Sequence, residues 1–129
     1  MRIAVICTAL LGLLLFGLGL AISMARTSTR TLHAFKPEAA DPLYKLVRAH
    51  GNTAEYAPLL AVLMLYLGAH SPAAWVCWTM IATTACRFLI VAGLVLWPTM
   101  GKPNPARFIG ALGTYIGGAA LSVALLLSL

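Results

Sequence analysis

The sequence predicts an all-α integral membrane protein built as a bundle of four transmembrane helices. Apolar residues make up 61% of the chain and charged residues only 9%, and the mean hydropathy is +0.93. A soluble domain carries far more charge, so this composition indicates a membrane environment. The 129 residues accommodate four spans of ~20 residues with short connections. We therefore expect a single transmembrane domain over residues 1–129.

The first apolar run predicts a helix over residues 3–25. This run is longer than the ~7–15 apolar residues of a signal peptide, so we expect it to be retained as a transmembrane helix. A polar segment follows over residues 26–41, and Pro37 excludes a continuous helix through it. We predict that this segment connects the first and second helices.

The second helix is predicted over residues 43–69, and Asp41 and Pro42 mark its start. Asp is a preferred N-cap because its carboxylate accepts hydrogen bonds from the first backbone N–H groups of a helix, and Pro suits the first helical position. A very short turn at residues 70–72 ends this helix.

One face of the second helix carries a polar stripe, which we define as Arg48, Asn52 and Glu55. Their spacing of i, i+4 and i+7 places them on the same face of an α-helix. A charged side chain at the bilayer centre costs ~3 kcal/mol on insertion scales, so such residues face a bundle interior or an aqueous cavity. We interpret the stripe as a polar ligand site at the mouth of the bundle. The alternative is a hydrogen-bond network that only joins the helices.

The third helix is predicted over residues 73–97, antiparallel to the second because only a short turn joins them. Arg87 is the one charged residue in this range. Glu55 precedes the turn by fifteen residues and Arg87 follows it by fifteen. Equal numbers of residues place the two charges at nearly the same depth. We expect them to pair, within one chain or across a subunit interface.

The fourth helix is predicted over residues 105–129, with Pro105 in its first turn and Arg107 at its entrance. Gly110, Gly113, Gly117 and Gly118 give this helix a small-residue face, which includes the Gly113-xxx-Gly117 motif. Small residues let neighbouring helices approach closely, so this face predicts tight helix packing. Taken alone, it is weak evidence for oligomerisation.

Most basic residues lie on one side of the predicted bundle. They are Arg26, Arg30, Lys36, Lys45, Arg48, Lys102 and Arg107. The positive-inside rule therefore predicts cytoplasmic basic loops and places both termini on the opposite side. The polar stripe, Arg26 and Arg107 then meet at the cytoplasmic mouth, where arginines suit the carboxylates of a soluble anion.

Two classes of partner are not expected: nucleic acids and metal ions. The net charge of +6 reflects few acidic residues, and no basic patch carries the interleaved aromatic residues typical of nucleic-acid binding. The three cysteines lie inside apolar runs without the spacing of metal ligands, so we interpret them as small buried apolar residues.

The segment Arg48-Ala49-His50-x-Asn52-x-x-Glu55-Tyr56-x-Pro58 resembles the signature of the MAPEG family, the membrane-associated proteins of eicosanoid and glutathione metabolism. The resemblance covers essentially the whole chain, including its length, helix count and loop sizes, and is to a bacterial-type member. It implies a homotrimer of four-helix subunits surrounded by membrane lipids. It also implies glutathione bound between neighbouring subunits, toward the cytoplasmic side.

The resemblance further implies roles for individual residues. Those that look like the family's glutathione-binding residues are Arg26, Arg48, Asn52, Glu55, Tyr56 and Arg87. Arg107 looks like the arginine that stabilises the glutathione thiolate in family enzymes. The thiolate is the nucleophile, and an adjacent guanidinium lowers the pKa of the thiol. The function implied is a glutathione transferase, with or without peroxidase activity, that acts on a lipophilic electrophile.

Two departures from the family pattern keep an alternative open. Ile90 and Leu94 occupy positions on the third helix where family enzymes carry His or Tyr and another frequent aromatic residue. These departures favour a non-catalytic member that binds lipid or glutathione. A small multidrug transporter is a weaker hypothesis, because such transporters use a carboxylate in the first helix and this first helix has none.

Overall fold

The computed structural model describes residues 1–30 and 37–128, which form four α-helices and no strand. We number the helices in chain order: α1 (Arg2–Thr29), α2 (Pro42–Ala69), α3 (Ala74–Val95) and α4 (Pro105–Leu126). The predicted all-α fold is confirmed. Lys36, one of the basic residues used to predict orientation, lies outside the described residues.

Among the described residues, three helices are long and apolar enough to cross a membrane: α1, α3 and α4. The remaining helix, α2, has the same 28-residue length as α1, but the polar stripe interrupts its apolar residues. The outer surface of the bundle carries large apolar side chains, such as Phe16, Trp78 and Phe108, which are 67–78% exposed. Such a surface suits lipid, and the protein is an integral membrane four-helix bundle.

The helix ends differ from the sequence expectation by a few residues. α1 continues past residue 25 to Thr29, and in this last turn Thr27, Ser28 and Thr29 donate hydroxyl hydrogen bonds to carbonyls one turn earlier. Arg30 follows as the C-cap, and its φ of 52° is left-handed. Arg26 is therefore on the last turn of a helix and not in a connection. α3 ends at Val95 and α4 at Leu126, two and three residues before the predicted ends at 97 and 129.

The small-residue face of α4 packs against α3 within the same chain. A Cβ added at Gly110 would lie 2.7 Å from the backbone nitrogen of Ile90, and one added at Gly113 or Gly117 would collide with the side chain of Cys86 or Thr83. These glycines thus allow the α3 and α4 backbones to approach closely. The tight packing predicted from Gly113 and Gly117 is confirmed, and its partner is α3.

We expect Gly110→Ala to lower the stability of the folded bundle by about 1–3 kcal/mol, because the added methyl group would meet backbone atoms that cannot move aside. The measurement is the apparent melting temperature in detergent. Gly118→Ala is the matched control on the same helix, since its methyl group would lie 3.7 Å from Leu60, an ordinary contact. A melting temperature for Gly110→Ala equal to that of the control would contradict the close packing of α3 and α4.

Candidate functional site

Arg87 on α3 is fully buried and holds Asn52 of the polar stripe in place. Its Nη2 donates to Asn52 twice, at 3.0 Å to the backbone oxygen and at 2.8 Å to Oδ1, and approaches Thr53 Oγ1 at 3.4 Å. Its Cζ also lies 5.2 Å from the centroid of the Tyr56 ring, a cation–π distance. One guanidinium therefore fixes the position of two predicted glutathione-binding residues.

These hydrogen bonds determine which group of Asn52 is available to a ligand. Because Oδ1 accepts from Arg87, the group of the side chain left for a ligand is the amide nitrogen, which has two N–H donors. Asn52 also lines the cleft described below. The amide nitrogen of Asn52 is thus the group that can donate to an acceptor bound there.

The structure corrects the predicted pairing of Glu55 with Arg87 within one chain. Among the described residues no ion pair joins them: Arg87 bonds to Asn52 and Thr53, its Nε has no acceptor, and Glu55 is exposed on α2. Equal depth along the two helices does not bring the side chains together, because the Glu55 side chain is exposed whereas Arg87 is fully buried. Pairing across a subunit interface stays a prediction.

A cleft of about 890 Å³ opens between α2, α3 and α4, at the end of the bundle where α2 and α4 begin. Residues from the helices line it: Tyr44, Arg48, Asn52, Ile90, Leu94, Arg107, Phe108, Ala111 and Tyr115. Residues from the connections complete it: Pro37, Ala39, Met100, Gly101, Lys102, Pro103 and Asn104. Three of these described residues are basic and none is acidic. The cleft is therefore suited to an anionic ligand.

The connection between α3 and α4 forms the cover of this cleft, and three hydrogen bonds hold it, two of them between residues far apart in the sequence. Lys45 Nζ donates to the Trp97 carbonyl at 2.9 Å, and Met100 N donates to the Ala39 carbonyl at 2.8 Å. Arg107 Nη1 donates to the Met100 carbonyl, also at 2.8 Å. Lys45 is buried and places its charge at the C-terminal end of α3, where a cation is favourable.

Arg107 on α4 reaches the cleft with most of its hydrogen-bonding capacity unused. A guanidinium has five N–H donors, and the hydrogen bond to Met100 uses one of them. No other side-chain hydrogen bond of Arg107 is found among the described residues. The guanidinium can therefore bind an anion while it keeps its hydrogen bond to the Met100 carbonyl.

The seven predicted site residues fall into three groups. Arg48, Asn52 and Arg107 line the cleft. Tyr56 and Arg87 lie behind Asn52 and support it. Glu55, exposed on α2, and Arg26, half-buried on the last turn of α1, do not line the cleft. The structure thus brings five of the seven into one neighbourhood and leaves two on the outside of it.

Sequence reasoning missed Tyr115, which lines the inner part of the cleft from α4. Its ring centroid lies 5.7 Å from that of Tyr56, with the ring planes tilted by 49°. The available signal was its spacing of i+8 from Arg107, which places both residues on one side of α4. Lys102 was assigned to topology alone, although it also lines the cleft. Ile90 and Leu94 form an apolar α3 wall.

Comparison with protein families identifies the relatives of this chain. The model of the MAPEG family matches residues 4–127. The match spans α2, α3 and α4 completely and almost all of α1, and it includes every residue that lines the cleft. Comparison with curated proteins and with solved structures gave no match.

Proposed function

The chain belongs to the MAPEG family, and we propose that it is a membrane-bound transferase that conjugates glutathione to a lipophilic electrophile, with or without peroxidase activity. Family membership supports a membrane function in glutathione or eicosanoid metabolism. The observation that carries the more specific proposal is the convergence of Arg48, Asn52 and Arg107 on one cleft. These groups come from two helices and present donors and positive charge to a common space.

The cleft has the size and charge that a tripeptide anion requires. Its volume lies within the ~300–1,000 Å³ of small-molecule sites. Glutathione carries two carboxylates and one ammonium group, and Arg48 and Lys102 are the cations in the cleft that suit those carboxylates. Asn52 adds an amide donor for a peptide carbonyl. Arg107 is then the cation available to stabilise the thiolate sulfur of glutathione.

The chemistry proposed for Arg107 follows from its charge. A guanidinium beside the thiol stabilises the thiolate and lowers the pKa of that thiol. The thiolate then forms a sulfur–carbon bond with the electrophile, and the bond to the leaving group breaks with its electron pair. An electrophile soluble in lipid reaches the cleft along the apolar wall of Ile90 and Leu94 and past the exposed ring of Phe108.

We also propose that the site is completed by a neighbouring subunit in a homotrimer. Glu55 is exposed on a membrane-embedded helix, and a carboxylate in that position needs a partner outside its own chain. Arg26 lies at the end of α1, on the same side of the bundle as the start of α2. Both residues can contact glutathione that is bound between subunits. The basic loops are then cytoplasmic, and both termini lie on the opposite side.

The first test is calorimetric titration of glutathione into the detergent-purified protein. We expect saturable binding by the wild type, and loss of binding in Glu55→Ala and Arg48→Ala, because each removes a charge that pairs with the ligand. Arg2→Ala is the matched control, since Arg2 is an exposed arginine at the other end of the bundle. The transferase proposal is abandoned if well-folded wild-type protein binds no glutathione.

The apolar α3 wall favours a second candidate function, a non-catalytic protein that binds lipid or glutathione. Ile90 and Leu94 are only 7% and 6% exposed and present no hydrogen-bonding side chain to the cleft. The two functions separate in an assay of conjugation with a small aromatic electrophile such as a chlorodinitrobenzene. Glutathione binding without turnover across a series of electrophiles would favour the non-catalytic function.

A further inference from the structure

The position of Arg107 depends on how α4 begins. Arg107 is the third residue of α4, which starts at Pro105 after the N-cap Asn104. Asn104 is buried, and its Oδ1 accepts hydrogen bonds from the backbone nitrogens of Ala106 at 2.9 Å and Arg107 at 3.3 Å. This part of the arrangement is an ordinary N-cap, which Ser, Thr or Asp also provides.

The other half of the Asn104 side chain has a different role. Its Nδ2 donates to the Gly93 carbonyl on α3 at 2.8 Å. Gly93 lies in the last turn of α3, where backbone carbonyls have no partner further along the helix. Ser, Thr and Asp lack an amide donor at this position. Asn104 therefore does more than start α4: it fastens the first turn of α4 to the end of α3.

Gly93 completes this fastening because it has no side chain. A Cβ added at Gly93 would lie 2.8 Å from the backbone nitrogen of Arg107 and 2.9 Å from its Cγ. The first aliphatic carbons of Arg107 therefore pass directly over the backbone of α3. Any larger residue at position 93 would displace the start of this side chain.

Arg107 is thus held at three points: its backbone by Asn104, its aliphatic stem over Gly93, and its guanidinium by the Met100 carbonyl. We propose that Asn104 and Gly93 are positioning residues that fix the Arg107 guanidinium at the cleft. The proposal rests on the function proposed above, in which Arg107 stabilises the glutathione thiolate. Specifically, the hydrogen bond from Asn104 Nδ2 to the Gly93 carbonyl, and not the cap of α4, controls the pKa of the bound thiol.

Asn104→Ser separates the two roles of Asn104. Serine keeps an oxygen that caps α4 but lacks the donor to Gly93, whereas Asn104→Ala removes both. We expect Asn104→Ser to lower the melting temperature less than Asn104→Ala does, because only serine keeps the cap of α4. We also expect it to raise the pKa of the bound thiol, followed by the ultraviolet absorbance of the thiolate, and to slow conjugation about tenfold. Gly93→Ala is expected to act in the same direction, with Gly118→Ala as its matched control.

A second measurement does not depend on glutathione. The guanidinium Nε–Hε resonance of Arg107 is identified by its absence from the spectrum of Arg107→Lys, and we expect it to be narrow in the wild type and broadened in Asn104→Ser. If that resonance and the thiol pKa are both unchanged in Asn104→Ser, the positioning proposal is overturned. Equal loss of stability in Asn104→Ser and Asn104→Ala also overturns it. If the wild type binds no glutathione, the transferase proposal fails, and the resonance still decides whether Asn104 positions Arg107.

Discussion

Replacing Arg107 with alanine is expected to slow glutathione conjugation by about 100- to 1,000-fold, the usual cost of removing one group that stabilises a developing anion. The guanidinium lines the cleft with unused N–H donors, so its loss removes the positive charge nearest to the proposed position of the sulfur. The measurement is kcat/KM as a function of pH. Glutathione affinity is expected to change much less than the rate.

The pH profile gives the sign of the effect. In the proposed function Arg107 favours the charged thiolate, so we expect the pKa of the bound thiol to lie below that of a free cysteine thiol, about 8.5. In Arg107→Ala we expect the pKa of the bound thiol to rise, so the thiolate fraction at neutral pH falls. The rate of conjugation is then expected to recover as the pH is raised above this higher pKa. A variant whose rate is reduced equally at every pH would show that Arg107 does not control ionisation of the thiol.

Lys102→Ala is the matched control for the loss of one positive charge from the same cleft. Lys102 lies on the covering connection, and its side chain lines the cleft. We expect this variant to raise KM, because a cation that suits a carboxylate is lost, and to leave the shape of the pH profile unchanged. If the pH profiles of Lys102→Ala and Arg107→Ala changed in the same way, the effect would be a general one of charge and not a specific role of Arg107.

The second large effect is expected at Arg87, because this buried guanidinium connects α3 to the polar stripe of α2. Arg87→Ala would leave a cavity and would deprive the Asn52 carbonyl and amide oxygen of their donor. Hydrogen bonds to charged groups contribute about 1.5–3 kcal/mol each, so we expect a loss of stability of about 3 kcal/mol or more. The measurement is the apparent melting temperature in detergent, together with glutathione affinity.

Arg87→Met distinguishes a folding defect from a defect in the site. Methionine fills much of the same volume, so the bundle is expected to fold, but the Asn52 amide loses the contact that orients it. We expect glutathione affinity to fall about tenfold or more, since one hydrogen bond to an oriented donor is lost. Arg2→Met, an exposed position on α1, is the control. Unchanged glutathione affinity in a folded Arg87→Met protein would show that Asn52 does not need Arg87 in order to bind the ligand.

The fold and much of the site are predictable from the sequence for simple physical reasons. Long apolar runs and the polar residues between them determine the helices, because unpaired backbone groups cannot be exposed to lipid. Asp41 starts α2 as predicted, with its carboxylate accepting from the Tyr44 backbone nitrogen at 2.7 Å. The period of the α-helix places Arg48 and Asn52 on one face, and both line the cleft.

Only the tertiary structure decided which side chains meet across the helices. Counting residues along α2 and α3 predicted the depth of Glu55 and Arg87, but the rotation of each helix about its axis made Asn52 the partner of Arg87. The same rotation brought Tyr115 into the cleft and turned the glycine face of α4 against α3. Helix period and length are local properties of the chain, whereas the rotation of one helix against another is determined by packing. The sequence by itself therefore determined the elements and their polar faces, and the packing decided how those faces combine into a site.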